Sequence, residues 1–155
     1  MIQKAIVALC VMLSAVMSPV AAGAQEPKGQ IERVVRDFLV AFGNRDFAVF
    51  VPYFAEDATV FFPPSAIAPL GRIQGRAEIE RTFKAIFAAY PPRPGRTTLP
   101  IGPQDLLVQE FDGYAVATFH LGSETARQRR TLVVRRIGGA WKIVHLHGSA
   151  AGGPS

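Results

Sequence analysis

"RTLVVRRIGGAWKIVHLHGS", residues 130–149, holds the chain's only tryptophan and two of its three histidines. Two runs rich in apolar and β-branched residues flank Gly138-Gly139, and a Gly-Gly pair supplies the backbone freedom that a tight hairpin needs. The stretch therefore reads as two strands, Arg127–Arg136 and Ala140–His147. Alternate side chains of a strand share a face, so Trp141, Ile143, His145 and His147 fall on one side and Val144, Leu146 and Gly148 on the other. Neither side is plainly polar. Both are expected to be covered, one by helices and one by a partner.

Working outward, Tyr114–Leu121 is a further strand, joined through the turn signal Asp112-Gly113 to a strand over Thr97–Phe111 that breaks at Gly102-Pro103. Upstream the period changes from two to 3.6. Ile79, Phe83, Ile86, Phe87 and Tyr90 share one side of a helix from Arg76, and Glu78, Glu80, Arg81 and Lys84 lie largely on the other. "PPRPG" at 91–95 ends that helix. Ala58–Phe62 is a short strand stopped by Pro63-Pro64. Ile31, Val34, Val35, Phe38, Leu39 and Phe42 form the buried stripe of a first helix that Gly43 ends. Asp46 can cap a shorter second helix through Phe47, Phe50, Val51 and Phe54, with a kink or early stop at Pro52. Helices first and strands second is an α+β pattern, in which three N-terminal helices cover one face of a curved antiparallel sheet.

The ends stand apart from this fold. Lys4, an apolar run over 5–17 and the small residues Ala22-Gly23-Ala24 make the three-part layout of a signal peptide over residues 1–24. Export to a periplasmic or extracellular location is expected, with no membrane attachment after processing. The one cysteine, Cys10, would leave with the peptide, so the domain over 25–149 must be held by its core and not by disulfides. Residues 150–155 read as a flexible tail. Without Lys4, sixteen basic side chains face twelve acidic ones, and the excess is spread along the chain. No basic block interleaves with aromatics, so nucleic-acid binding is not expected.

The segments "DFLVAFGNRDFAVFVPYFAEDATVFFPP", "GRAEIERTF" and "RTLVVRRIGGAWKIVHLHGS" resemble SnoaL-like members of the nuclear transport factor 2-like superfamily. The ending is also similar to the association domain of calcium/calmodulin-dependent protein kinase II. The resemblance spans residues 30–149 and implies a cone of three helices and a bent sheet around an apolar pocket. It does not imply one function, because this fold carries isomerases, cyclases, dehydratases, transport factors and assembly domains. Ketosteroid isomerase, the best-understood enzyme of the superfamily, needs a carboxylate base and two oxyanion donors. By resemblance those positions fall on Phe62, on Phe38, and near Thr131 or Leu132. The carboxylate, the tyrosine and the later acid are all missing there, and a phenylalanine can neither abstract a proton nor donate a hydrogen bond, so that mechanism is excluded.

The same resemblance points Val116, Thr118 and His120 into the cone, with Val144 and Leu146. The pocket is then expected to be lined by Phe38, Phe42, Phe62, Phe83, Phe87, Thr118, His120, Val144 and Leu146. It would hold a small apolar or amphipathic molecule with no cofactor. His120 is the only candidate catalytic base, for an isomerase, cyclase or dehydratase. A pocket filled by the chain's own phenylalanines would instead indicate an assembly module. Glu56 and Asp57 resemble the acidic pair that ends the family's second helix, and Arg72 and Arg76 would flank the cone mouth. Phe119, Val133, Trp141, Ile143, His145 and His147 are expected on the outer face, where self-association as a homodimer would cover them. A metal site needs three or more ligands, and nothing near His145 and His147 supplies the rest.

Overall fold

A computed structural model of the chain describes residues 27–63, 71–91, 101–122 and 127–150. The expected signal peptide, the end of the tail and the start of the Thr97–Phe111 strand lie outside them. Helix α1 spans Pro27–Asn44 and α2 spans Phe47–Phe50, followed by one 3-10 turn over Val51–Tyr53. Strands β1 (Phe54–Phe61) and β2 (Ile73–Gln74) precede helix α3 (Arg76–Ala89). Four long strands complete the chain: β3 (Gln104–Phe111), β4 (Tyr114–Leu121), β5 (Gln128–Ile137) and β6 (Ala140–Ala150).

The six strands form one sheet in the order β2-β1-β6-β5-β4-β3. Neighbours are antiparallel except β1 and β6, which run parallel, so the sheet is mixed where an antiparallel one was expected. The α+β class stands.

Local chemistry explains most boundaries. Helix α1 runs through Gly43 and ends at Asn44, because Arg45 takes φ 54 and closes the helix instead. The Asp46 amide donates to Ala41 and the Arg45 amide to Phe42, the paired bonds of a Schellman motif. The Asp46 carboxylate accepts from the Val49 amide at 3.2 Å and so caps α2. Pro52 then confines the chain to a 3-10 turn. Strand β1 begins at Phe54, four residues earlier than its apolar run suggests, and Glu56 and Asp57 lie inside it instead of closing a helix. A break in the β1–β6 register between Phe54 and Thr59 leaves both acids exposed.

The core lies between the helices and one face of the sheet. Two rows of paired residues define that inner face. Val60, Leu146, Leu132, Ala117 and Val108 form one, and Phe54, Ile143, Val134 and Ala115 form the other. All nine are buried. Phe50 is at the centre of the aromatic cluster above them, with ring centroids 4.5 Å from Phe83, 5.0 Å from Phe38 and 5.4 Å from Phe54.

This register corrects two expectations. On β4 the inward residues are Ala115, Ala117 and Phe119, so Val116, Thr118 and His120 face outward. On β6 the pairing with β5 shifts between Val133 and Val134, which makes Val144 an extra residue and turns both Ile143 and Leu146 inward. Trp141 is also on the helix side, beside Val34 and Tyr53. Phe119, Ile143 and Trp141 are therefore absent from the outer face. Val133, His145 and His147 occupy it.

Candidate functional site

Helices α1 and α3 close over the sheet and leave a cavity of about 50 Å³ inside the cone. Phe38, Leu39 and Phe42 come from α1, Phe62 follows β1, and Phe83 comes from α3. The sheet contributes Phe119, Leu121, Arg130, Leu132 and Leu146. Packing among the rings sets the cavity's shape. Phe62 meets Phe83 edge-on at 5.1 Å, and Phe42 meets Phe83 edge-on at 6.2 Å.

Five of the nine expected lining residues meet there: Phe38, Phe42, Phe62, Phe83 and Leu146. Phe87 lies one layer behind, with its ring 5.6 Å from Phe42 and 5.9 Å from Phe83. Val144 packs against the core from the β6 bulge without reaching the cavity. Thr118 and His120 stand on the opposite face of the sheet. The positions compared with ketosteroid isomerase do converge, since Phe38, Phe62 and Leu132 all line the cavity.

His120 sits at the outer edge, with Nδ1 3.8 Å from the Asp105 carboxylate. That separation is too long for a hydrogen bond. Its Nδ1 is buried without a partner among the described residues. His145 Nδ1 lies 2.8 Å from Thr59 Oγ1. Burial, and then the neighbouring His147, pushes the His145 pKa below its ordinary value. His147 is exposed, with its ring 6.1 Å from that of Phe61. Among the described residues no three metal-ligating side chains converge. Arg76 pairs with Glu56 on the surface, and Arg72 is exposed.

Arg130 is a lining residue that sequence reasoning missed. Its guanidinium rests against Gly148 on the inner face, where an added Cβ would stand 3.1 Å from Nη1. A signal was present, because Arg130 shares strand parity with Leu132 and Val134 and faces the only glycine of β6.

A larger concavity of about 580 Å³ lies outside the cone, between α1 and the β5–β6 turn. Arg33, Asp37, Tyr53, Trp141 and Lys142 line it. Burial, with the Asp37 carboxylate second, raises the Tyr53 pKa. It is a wide solvent-filled groove with scattered polar groups, and Lys142 Nζ is already engaged by the Pro52 carbonyl at 2.6 Å. A more sheltered position and a convergent apolar wall favour the smaller cone cavity as the site.

This architecture has known counterparts. The chain belongs to the SnoaL-like domain family, whose description matches residues 31–152. Among solved structures it is similar to a nuclear transport factor 2-like protein of unknown function from Pseudomonas putida KT2440. That similarity has 20% identity, covers 79% of this chain and 85% of the other, and gives a TM-score of 0.66. A proposed ketosteroid isomerase from Parabacteroides distasonis is 22% identical over 82% of this chain and 89% of its own, with a TM-score of 0.61. A proposed dehydratase of the nuclear transport factor 2-like family from Streptomyces avermitilis is 17% identical over 80% and 95%, with a TM-score of 0.64. At these identities the likeness speaks to the fold. A comparison with curated proteins finds no match.

Proposed function

We propose that the protein is an exported binding protein that holds a small apolar or amphipathic molecule inside the cone. The supporting observation is the cavity of about 50 Å³ that persists after the phenylalanine rings have packed. A half-open, largely apolar hollow leaves its wall short of packing contacts on one side. A ligand group that fills it restores them. Pockets that enclose drug-sized ligands measure roughly 300–1,000 Å³. The ligand here is therefore small, or inserts only a short apolar end. Export rests on the layout of residues 1–24. The enzyme alternative loses the base it relied on, since His120 is on the far side of the sheet from the cavity.

The assembly reading is favoured by a separate observation. Phe61, Leu107, Val116, Val133, His145 and His147 stand together on the outer face, and no element described packs over them. A second copy packed sheet to sheet would cover that patch about a two-fold axis. The resemblance of residues 130–149 to the kinase association domain, read from the sequence alone, would belong to this reading, which is compatible with ligand binding.

Native mass spectrometry of the protein from its own host tests both. A bound small mass, lost in a folded Leu121→Trp variant that narrows the cavity, supports the binding reading. A dimer with no bound mass, and no uptake of added small apolar compounds, contradicts it and leaves assembly.

A further inference from the structure

Arg130 is the one charged side chain among the described residues that line the cone cavity. It stands on the inner face of β5, in a row with Phe119 of β4 and Gly148 of β6. Gly148 makes the space the guanidinium occupies, since an added Cβ would lie 3.1 Å from Nη1, 3.2 Å from Cζ and 3.3 Å from Nε. Nη1 donates to the Arg129 carbonyl at 2.8 Å and Nη2 donates to Gln128 Oε1. Both acceptors are neutral. The ion pairs of arginine among the described residues, Arg76–Glu56, Arg81–Glu78 and Arg135–Asp57, leave Arg130 without a counter-charge. Burial pushes the Arg130 pKa below its ordinary value, as expected for a cation drawn out of water.

We propose that Arg130 recognises a carboxylate, and that the cone ligand is a small monocarboxylate. Its charged end meets the guanidinium and its hydrocarbon end fills the space beside Phe38, Phe62, Leu132 and Leu146. The inference rests on the ligand-binding reading above. Arg130 is half-buried and its two acceptors are neutral, so its charge lacks a counter-charge, and a guanidinium matches the planar fork of a carboxylate with paired hydrogen bonds. One cation in an apolar wall suits one negative charge. A phosphate dianion would leave a second charge with no donor in the wall.

The test compares butyrate, 1-butanol and inorganic phosphate by NMR titration of the labelled full chain. The readouts are the Leu132 and Leu146 methyls and the Arg130 Nε–Hε resonance. Butyrate should bind saturably and at least about tenfold more tightly than 1-butanol, the gain expected of a charge-assisted hydrogen bond. Arg130→Gln should remove that preference while 1-butanol still binds. Gly148→Ala, which pushes the guanidinium out of place, should weaken butyrate in the same way if Arg130→Gln fails to fold. Equal affinity for butyrate and 1-butanol would overturn the role of Arg130 and leave the cone as a binding site. A butyrate preference that survives in folded Arg130→Gln would also overturn it. Displacement of butyrate by phosphate at equal concentration would contradict the carboxylate class. Failure of every probe to shift the inner methyls would overturn the binding reading, and this inference with it.

Discussion

Thr59 Oγ1 and His145 Nδ1 stand 2.8 Å apart on the outer face of the sheet, across the parallel pair β1–β6. With the imidazole neutral, Nδ1 can accept from the threonine hydroxyl. A protonated ring can only donate, and the hydroxyl must turn to accept. The bond therefore ties the protonation state of one histidine to the junction where the end of the chain meets β1.

That junction should weaken in acid. Burial, and then His147, lowers the folded-state pKa of His145 below 6.5. The unfolded chain binds its proton near the ordinary value, so unfolding takes up protons once the pH drops towards it. The contribution of neutral His145 is present above about pH 6.5 and is lost as the pH falls through the lower folded value. The melting temperature should fall between pH 7.5 and pH 5, and His145→Asn should flatten part of that slope. An unchanged slope in the variant would place the acid sensitivity elsewhere.

The aromatic cluster should carry a large share of stability. Phe50 is fully buried and its ring meets those of Phe38, Phe54 and Phe83. Phe50→Ala should cost about 3–5 kcal/mol, the usual range for a buried phenylalanine. Denaturant unfolding measures it. A loss under about 1 kcal/mol would mean that the helices do not pack as described.

What could be read from the sequence divides along physical lines. Helix α3 starts at Arg76 as expected, because Gly75 takes φ 85 and the apolar period begins there. The turns at Asp112-Gly113 and Gly138-Gly139 also matched, since Gly113, Gly138 and Gly139 all have positive φ. The inside and outside of β4 were not legible from its composition. Ala115 and Ala117 are buried with Phe119, so two of the smallest side chains face the core while Val116, Thr118 and His120 face out. On β6 one extra residue at Val144 broke the period of two, and nothing in the residue types marks such a bulge. The site was accordingly half legible. Its phenylalanines follow helix period and Leu146 follows strand parity, whereas Arg130 was masked by the neighbouring arginines 127, 129, 135 and 136.

Self-association should depend on the outer face. Val133 pairs with His145 on one side and Val116 on the other, at the middle of the exposed patch. Val133→Glu should convert a dimer into a monomer in sedimentation at micromolar concentration, with the fold unchanged by circular dichroism. Acid should act in the same direction, because a charged His145 resists burial at an interface. A dimer unaffected by Val133→Glu would place the contact on another surface.

Processing gives a separate check. N-terminal sequencing of the exported protein should begin at Gln25, after the Ala22-Gly23-Ala24 pattern. A protein recovered with Met1 or with the 5–17 run intact would contradict export by cleavage.

The central claim, that the cone holds a small molecule among its own phenylalanines, is tested most directly by intermolecular nuclear Overhauser effects from a bound probe. With saturating 1-butanol, contacts are predicted to the Leu132 and Leu146 methyls and to the Phe62 and Phe119 rings, all of which face the cavity. Contacts confined to Leu107, Val116 and Val133 on the outer face, or to Trp141 in the open groove, would contradict the account.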